Sequence, residues 1–307
     1  MKIPSGKEKC KFSYVAYYCI LTRCVFNFAC NIHRMKAYIT LLSTLSYLPG
    51  VIVLHESVKR TKTDYPFWVA ISFTIPFEIA DDLRRRGMHV IRLPKSIEIP
   101  QHFKNASGHW GNTFDKIHIF GLSKFSKLVY LDSDMMVLKN IDGLFEKPHL
   151  CAVAAGYLEN EDWTRLNSGL MVIDPQIELP AKMFELFDRA TEDVNALGSN
   201  KIGDQDVINA YYPDWPSRPE LHLDEGYNLF SSYLDLYIDK HGYQMPEIGS
   251  NNLKDVQVIH FIGPKKPWMK WANIKNIIKC LKNINSIKWE RKAFSMYLTY
   301  LKRLNLS

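Results

Sequence analysis

From Met35 onward, short apolar runs alternate with longer segments whose apolar residues recur every three or four positions. That alternation of strand with helix is what a parallel doubly wound sheet requires. Residues 37–42 read as strand, 49–61 as a helix with proline in its first turn, 66–72 as strand, 76–86 as helix and 89–93 as strand. A loop bounded by prolines follows. Then residues 113–122 read as helix and 127–131 as a buried strand that runs straight into Asp132-Ser133-Asp134. The second half predicts strands near 151–155 and 169–173, helices near 180–196 and 204–211, and a last strand at 255–260. No internal repeat or low-complexity tract interrupts the pattern.

Composition supports a packed enzyme-sized body. Of 307 residues, 47% are hydrophobic and 23% charged, with 15 Gly and 15 Pro, which excludes disorder, collagen-like repeats and a multi-span membrane protein. A chain of this length buries a large core without disulfides or metal. The net charge of +7 is unevenly spread: residues 1–34 carry +5 and residues 265–307 carry +10, so the middle is acidic. Basic ends on an acidic body argue against a nucleic-acid groove and for an anionic surface, such as a membrane leaflet, approached from one end. Four of the six cysteines (Cys10, Cys19, Cys24, Cys30) precede residue 35, leaving Cys151 and Cys280 far apart. No disulfide framework or Cys-x-x-Cys pair is visible, which predicts a reducing, cytoplasmic compartment and no zinc ribbon.

Residues 1–34 form a leader. Its apolar stretch, 14–30, resembles a signal anchor, but it is short for a span and Arg23 in its middle costs about 2.5–3.5 kcal/mol. The alternative is an upstream extension with Met35 as the natural start. Residues 35–268 are the expected main domain and 269–307 a basic tail. In the tail, Trp271, Ile274, Ile277, Ile278 and Leu281, then Trp289, Phe294, Tyr297, Leu301 and Leu304, fall at helical spacing among lysines and arginines. That is a signature for lying on the anionic inner face of a membrane, or for packing on the body with a solvated basic face.

The chemistry centres on Asp132 and Asp134. Residues one apart in extended chain project to the same side, so both carboxylates reach one cation, and they sit at a strand's carboxyl end, where open α/β sheets bind ligands. The spacing alone is weak: with 18 Asp in the chain, about one Asp-x-Asp arises by chance, Asp204-Gln205-Asp206 is a second, and an Asx turn explains either. Context adds Asn167-Ser168-Gly169 before an apolar strand, Gly203-Asp204-Gln205-Asp206 opening a helix, and His260-Phe261-Ile262-Gly263-Pro264-Lys265-Lys266-Pro267-Trp268 after the last strand. Thr40-Leu41-Leu42-Ser43 with Tyr47 and Pro49-Gly50 lies at the end of the first strand, and Lys116 in the helix before the acidic strand.

In this order the signatures resemble glycosyltransferase family 8, over about residues 35–268. The resemblance implies a GT-A fold, a mixed Rossmann-like sheet flanked by helices. It implies transfer of a hexose, glucose or galactose, from a UDP-sugar to a hydroxyl acceptor, with retention at the anomeric carbon and Mn²⁺ as cofactor, Mg²⁺ being the alternative ion. Asp132, Asp134 and His260 are the implied metal ligands, a donor set that suits Mn²⁺ better than Mg²⁺. Gly263 and Lys266 are implied at the diphosphate, with Lys265 the weaker candidate; Thr40, Leu41, Tyr47 and Ser133 are implied around the nucleotide. Lys116, Asn167 and Ser168 are implied at the donor sugar, and Asp204 and Gln205 in catalysis, although a helix start also favours Asp as a simple N-cap. Same-face attack with Gln205 near the anomeric carbon is preferred over a covalent intermediate on a carboxylate. The acceptor is a glycan, a lipid-linked sugar or a small polyol, with galactinol synthase- or glycogenin-type activity on a small or protein acceptor as the alternative. Two other readings are a catalytically silent sugar-nucleotide binding module and a sugar nucleotidyltransferase; the latter needs a Gly-rich loop that residues 40–44 do not supply.

Overall fold

A computed structural model describes residues 35–95, 113–192, 203–247, 252–264, 266–269 and 287–306. The leader, Lys265, and the first amphipathic stretch of the tail lie outside the described residues.

The strands are β1 (Met35–Leu42), β2 (Phe67–Ile71), β3 (His89–Arg92), β4 (Phe125–Leu131), β5 (Met135–Val137), β6 (Ala152–Val153), β7 (Asn167–Ile173), β8 (Leu229–Phe230) and β9 (Val258–His260). The helices are α1 (Leu48–Arg60), α2 (Phe77–Arg85), α3 (Leu179–Glu192), α4 (Asp204–Tyr211), α5 (Leu234–His241) and α6 (Lys288–Arg303). The main sheet has the order β3-β2-β1-β4-β7-β6. Its β1, β2, β3 and β4 pair in parallel, whereas β7 runs antiparallel to both β4 and β6. The sheet is thus mixed, where strand and helix alternation alone predicted parallel pairing throughout. Residues 113–121 form a 3₁₀ helix in place of the predicted α-helix, and the last strand covers three residues of the predicted 255–260.

Pairing delivers the acidic motif to its partners. At the carboxyl end of β4, Leu131 pairs with Leu170, and the Asp132 N–H donates to the Gly169 carbonyl at 2.8 Å, so Asn167 and Ser168 at the start of β7 flank the aspartates. Past the motif the chain enters a second, three-stranded sheet of order β5-β9-β8. There Met135 lies opposite His260, and the Phe261 N–H donates to the Asp134 carbonyl at 2.9 Å. Two backbone registers therefore gather residues more than a hundred positions apart. Helix α1 comes close on a third side: a Cβ on Gly50 would stand 2.4 Å from the Ser133 carbonyl oxygen, so only glycine permits this approach.

The main core fills the space around the large sheet, and a second apolar cluster sits under the small sheet with α5 and α6. This places the second stretch of the tail. Tyr297 and Leu301 of α6 are buried in that second core, and Trp289, Phe294 and Leu304 pack against it. The apolar face of α6 is thereby covered by the body, and it is the basic face with Lys288, Arg291 and Lys292 that remains outward. Of the two readings of this stretch, α6 adopts the packed one, because tyrosine and leucine gain more against an existing core than a short helix gains alone. Among the described residues, no helix is long and apolar enough to cross a membrane.

Candidate active site

Asp132, Asp134 and His260 offer one ligand atom each within 4.8 Å of one another. The Nε2 of His260 stands 3.2 Å from Oδ1 of Asp134 and 3.9 Å from Oδ2 of Asp132. Two atoms each about 2.1 Å from a shared ion are separated by about 3–4 Å, so these spacings fit one divalent cation. The other oxygen of each carboxylate is taken. Oδ2 of Asp134 accepts from Nζ of Lys266 at 2.5 Å, and Oδ1 of Asp132 from Nζ of Lys116 at 3.0 Å and from the Tyr130 hydroxyl at 2.6 Å. Each acid is braced by a lysine on one side and presents its free oxygen on the other.

The imidazole is oriented by a chain of amides. The Gly169 N–H donates to Oδ1 of Asn167 at 3.0 Å, which identifies that atom as the oxygen; the same Oδ1 accepts from Nδ2 of Asn228 at 2.8 Å. The remaining end of Asn228 is its carbonyl oxygen, 2.9 Å from Nδ1 of His260. Nδ1 therefore carries the proton and Nε2 turns its lone pair toward the carboxylates, the state a metal requires. Gly169 makes room for this ring, since a Cβ there would come 2.7 Å from Cε1 of His260.

Electrostatics follow from burial. Burial drives Asp134 upward, but His260 and Lys266 outweigh it and hold the carboxyl well below the usual carboxylate range. Burial, helped by the charge of Asp134, raises Asp132 even though Lys116 opposes it. For Lys116 burial disfavours the charge, yet Asp132 and Asp204 prevail and keep it above the ordinary lysine value. Three aspartates against two lysines leave the acids in excess around the imidazole. A divalent ion reverses that sign and prepares the pocket for an anion, so the donor set, its spacing and its charge all fit the implied metal.

Asp204 is buried and bonded to Nζ of Lys116 at 2.6 Å and to the Ser168 hydroxyl at 2.8 Å. It is not the N-cap that its position at a helix start suggested: Gly203 occupies that place, and Asp206 accepts from the Gly203 N–H at 2.9 Å. Freed from capping, Asp204 turns inward. Oε1 of Gln205 accepts from the Ser168 N–H at 3.1 Å, which leaves the NH₂ as the end able to meet a ligand. Lys116, Asn167, Ser168, Asp204 and Gln205 thus form one network with Asp132, Asp134 and His260.

The remaining predicted residues lie around this centre. Ser133 is buried under Gly50. The Tyr47 ring lies 5.8 Å from Nζ of Lys266 and edge-on to Trp268, and burial with the nearby Asp134 and Asp132 pushes its hydroxyl up to about 12. Lys266 is itself buried, with its Nζ against Asp134 and the Phe261 carbonyl. Thr40 is fully buried with its hydroxyl unpartnered at the end of β1, Leu41 is buried beside it, and Gly263 adopts a left-handed φ of 88°. Sequence reading missed Tyr130 and Asn228. Tyr130 carried a signal, since it shares a face with Asp132 two residues on.

A model of the family described as Glycosyl transferase family 8 matches residues 38–272. The chain belongs to glycosyltransferase family 8. This family 8 member is 29% identical over 252 residues to inositol phosphorylceramide glucuronosyltransferase 1 of Arabidopsis thaliana, covering 77% of this chain and 43% of that one. It is 30% identical over 241 residues to glycogenin-1 of Mus musculus, covering 76% and 65% respectively. The chain thus spans under two thirds of the length of either relative. Among solved structures, the galactosyltransferase LgtC with donor and acceptor sugar analogues aligns with TM-score 0.55 at 17% identity, over 86% of this chain and 95% of that one. GlyE of Streptococcus pneumoniae TIGR4 aligns with TM-score 0.53 at 18% identity, over 89% and 64%. The fold is that of the GT-A glycosyltransferases, as the resemblance implied.

Proposed function

We propose that this glycosyltransferase moves a hexose from a UDP-sugar to a hydroxyl acceptor with retention, with Mn²⁺ held by Asp132, Asp134 and His260 and Mg²⁺ as the alternative ion. The observation that carries the reading is the convergence of three lone pairs, one from each ligand, while lysines hold the opposite carboxylate oxygens. Bound there, the ion supplies positive charge to the diphosphate as the sugar–phosphate bond breaks. Residues 35–268 contain every group the reaction uses.

The chain's own residues do the positioning. Lys266, anchored on Asp134, and the left-handed turn at Gly263 frame the diphosphate. Thr40, Leu41, Tyr47 and Ser133 frame the nucleotide. Lys116, Asn167 and Ser168 face the donor sugar, and the NH₂ of Gln205 steadies it beside the anomeric carbon. The acceptor oxygen bonds to that carbon on the face the phosphate leaves, and the acceptor proton passes to the departing phosphate oxygen, so no group is left unbalanced. Asp204, held by Lys116 and Ser168, orients the sugar rather than attacking it. Glucose and galactose are the leading donors, and glucuronate joins the screen because one relative is named for it. Any contact with an anionic leaflet rests in this reading on the basic face of α6.

The test is hydrolysis of UDP-glucose, UDP-galactose and UDP-glucuronate by the purified chain, with and without EDTA. Turnover of one donor, abolished by chelator and restored by Mn²⁺, is expected. UDP-sugar binding without turnover in Mn²⁺ would make the protein a silent binding module, and a fluorosugar trapped on Asp204 would replace same-face attack with a covalent route.

A further inference from the structure

The loop between β6 and β7 ends at Asn167 and is unusually well tied down for an exposed segment. At its start, the N–H groups of Gly156 and Leu158 each donate at 2.8 Å to the buried carboxylate of Glu225. At its end, the Leu166 N–H donates to Oδ1 of Asn209 at 3.0 Å, and Arg165 pairs with Asp206 at 2.9 Å, the residue after Gln205. A loop fixed at both ends has little ordering entropy left to lose on binding a ligand.

Beside the charged Glu161, Asp162 and Arg165, this loop holds aromatic rings outward. Tyr157 and Trp163 are 43% and 41% exposed. The Trp163 ring lies over Gly156, whose left-handed φ of 91° and missing Cβ let the indole settle on the backbone. It stacks on Tyr233 with centroids 6.3 Å apart and planes 13° from parallel. Tyr233 meets Phe230 at 5.9 Å, and Phe230 meets the His260 imidazole at 5.8 Å. A continuous series of rings therefore leads from the proposed metal ligand to an indole at the surface, with the Arg165–Asp206 pair joining the loop to α4. Exposed aromatic surface held in place beside a reaction centre marks a ligand subsite.

We propose that Trp163, supported by Tyr233 and Tyr157, forms the acceptor subsite and that its occupant is a carbohydrate ring. A pyranose or cyclic polyol has an apolar C–H face that lies on an electron-rich indole and hydroxyls at its rim that meet charged groups such as Arg165 and Asp206. The assignment rests on the glycosyl-transfer reading above.

The test uses the full chain and three probes: maltose, lactose and myo-inositol. Saturation-transfer NMR is expected to mark the ring C–H protons of at least one probe on the wild type. Trp163→Ala should lose at least 80% of that signal and raise the acceptor KM at least tenfold, while Trp163→Phe stays within about threefold of wild type. UDP-sugar hydrolysis with water as acceptor should be equal in all three proteins, which also shows that each is folded. Unchanged KM and saturation transfer in Trp163→Ala, or no probe marked on a wild type that hydrolyses donor, overturns the carbohydrate subsite. Binding to phosphatidylserine vesicles that Trp163→Ala alone abolishes would reassign the surface to lipid. Absence of donor turnover in the wild type would instead count against the transferase reading itself.

Discussion

Replacing Asn228 by leucine tests the logic of the metal centre at a residue that touches no substrate in the proposed reaction. Asn228 is 1% exposed and makes two side-chain hydrogen bonds, one with Nδ1 of His260 at 2.9 Å and one to Asn167 at 2.8 Å. Leucine keeps the volume and removes both. A buried N–H left without an acceptor costs about 1–3 kcal/mol, and the imidazole escapes that cost by moving its proton to Nε2, where it blocks the metal. Loss of such an orienting partner lowers metal affinity about 10–100-fold, which is about 1.4–2.7 kcal/mol. Asn228→Asp retains an acceptor for Nδ1–H and should hold most of the affinity, although it cannot donate to Asn167. Calorimetric titration with Mn²⁺ without nucleotide measures the affinity, and long-range ¹H–¹⁵N correlation of the histidine ring reports which nitrogen carries the proton. If Asn228→Leu binds Mn²⁺ as tightly as wild type and leaves the proton on Nδ1, the amide chain does not set the tautomer.

Three further outcomes are expected. Gly50→Ala drives a methyl to 2.4 Å from the Ser133 carbonyl oxygen, so it should destabilise the fold by about 1–3 kcal/mol and weaken Mn²⁺ binding together with it; unchanged urea midpoint and affinity would refute the close approach. Lys139→Met removes the cation from Asp255, which is fully buried and bonded to Lys139 at 2.7 Å and to Gln244 at 2.9 Å, and should cost about 3–5 kcal/mol in urea unfolding, whereas a loss below about 1 kcal/mol would place the pair among surface-like contacts. Burial pushes His55 and His118 down to about 4 from 6.5. The unfolded chain therefore takes up protons that the folded one refuses between those values, and stability falls as pH drops through the window. Asp115, pushed up to about 6 by burial, works in the opposite sense and regains stability as pH falls below that value. His118→Gln should remove about 3 kcal/mol of the loss between pH 6.5 and pH 4, read as a shallower dependence of unfolding free energy; equal dependence in both proteins would contradict a neutral buried ring.

Much of the large sheet was legible because β1, β2, β4 and β7 each carry an apolar stretch, and the acids announced themselves by standing at the end of one. The antiparallel hand of β7 was not legible, since a buried strand carries no mark of direction in its composition. The small sheet was only partly legible: β9 lies inside the predicted strand at 255–260, but β5 and β8 have three and two residues, too few to display a period. Missing β5 hid why His260 belongs with Asp134, a fact of pairing opposite Met135 rather than of local sequence. Lys116 and Lys266 were legible as residues, but the acids they meet were not, because spacing says nothing about which carboxylate a lysine will meet once both are buried. Asn228 gave no local signal, being 32 residues from the ring it holds. In the tail, helical spacing was correctly visible in 288–303, but an amphipathic pattern does not reveal whether protein or lipid will cover it.

The pairing of β5 with β9 gives the reaction centre a stringent dependence on alignment. Because neighbouring side chains of a strand point to opposite faces, sliding β9 by one position would swing His260 away from the aspartates while leaving most of the large sheet undisturbed. Such a misaligned chain would look well folded by circular dichroism and yet fail to hold an ion. On the proposed reading, uptake of metal would report whether the last short strand has docked correctly, a stage of maturation that bulk measures of folding overlook.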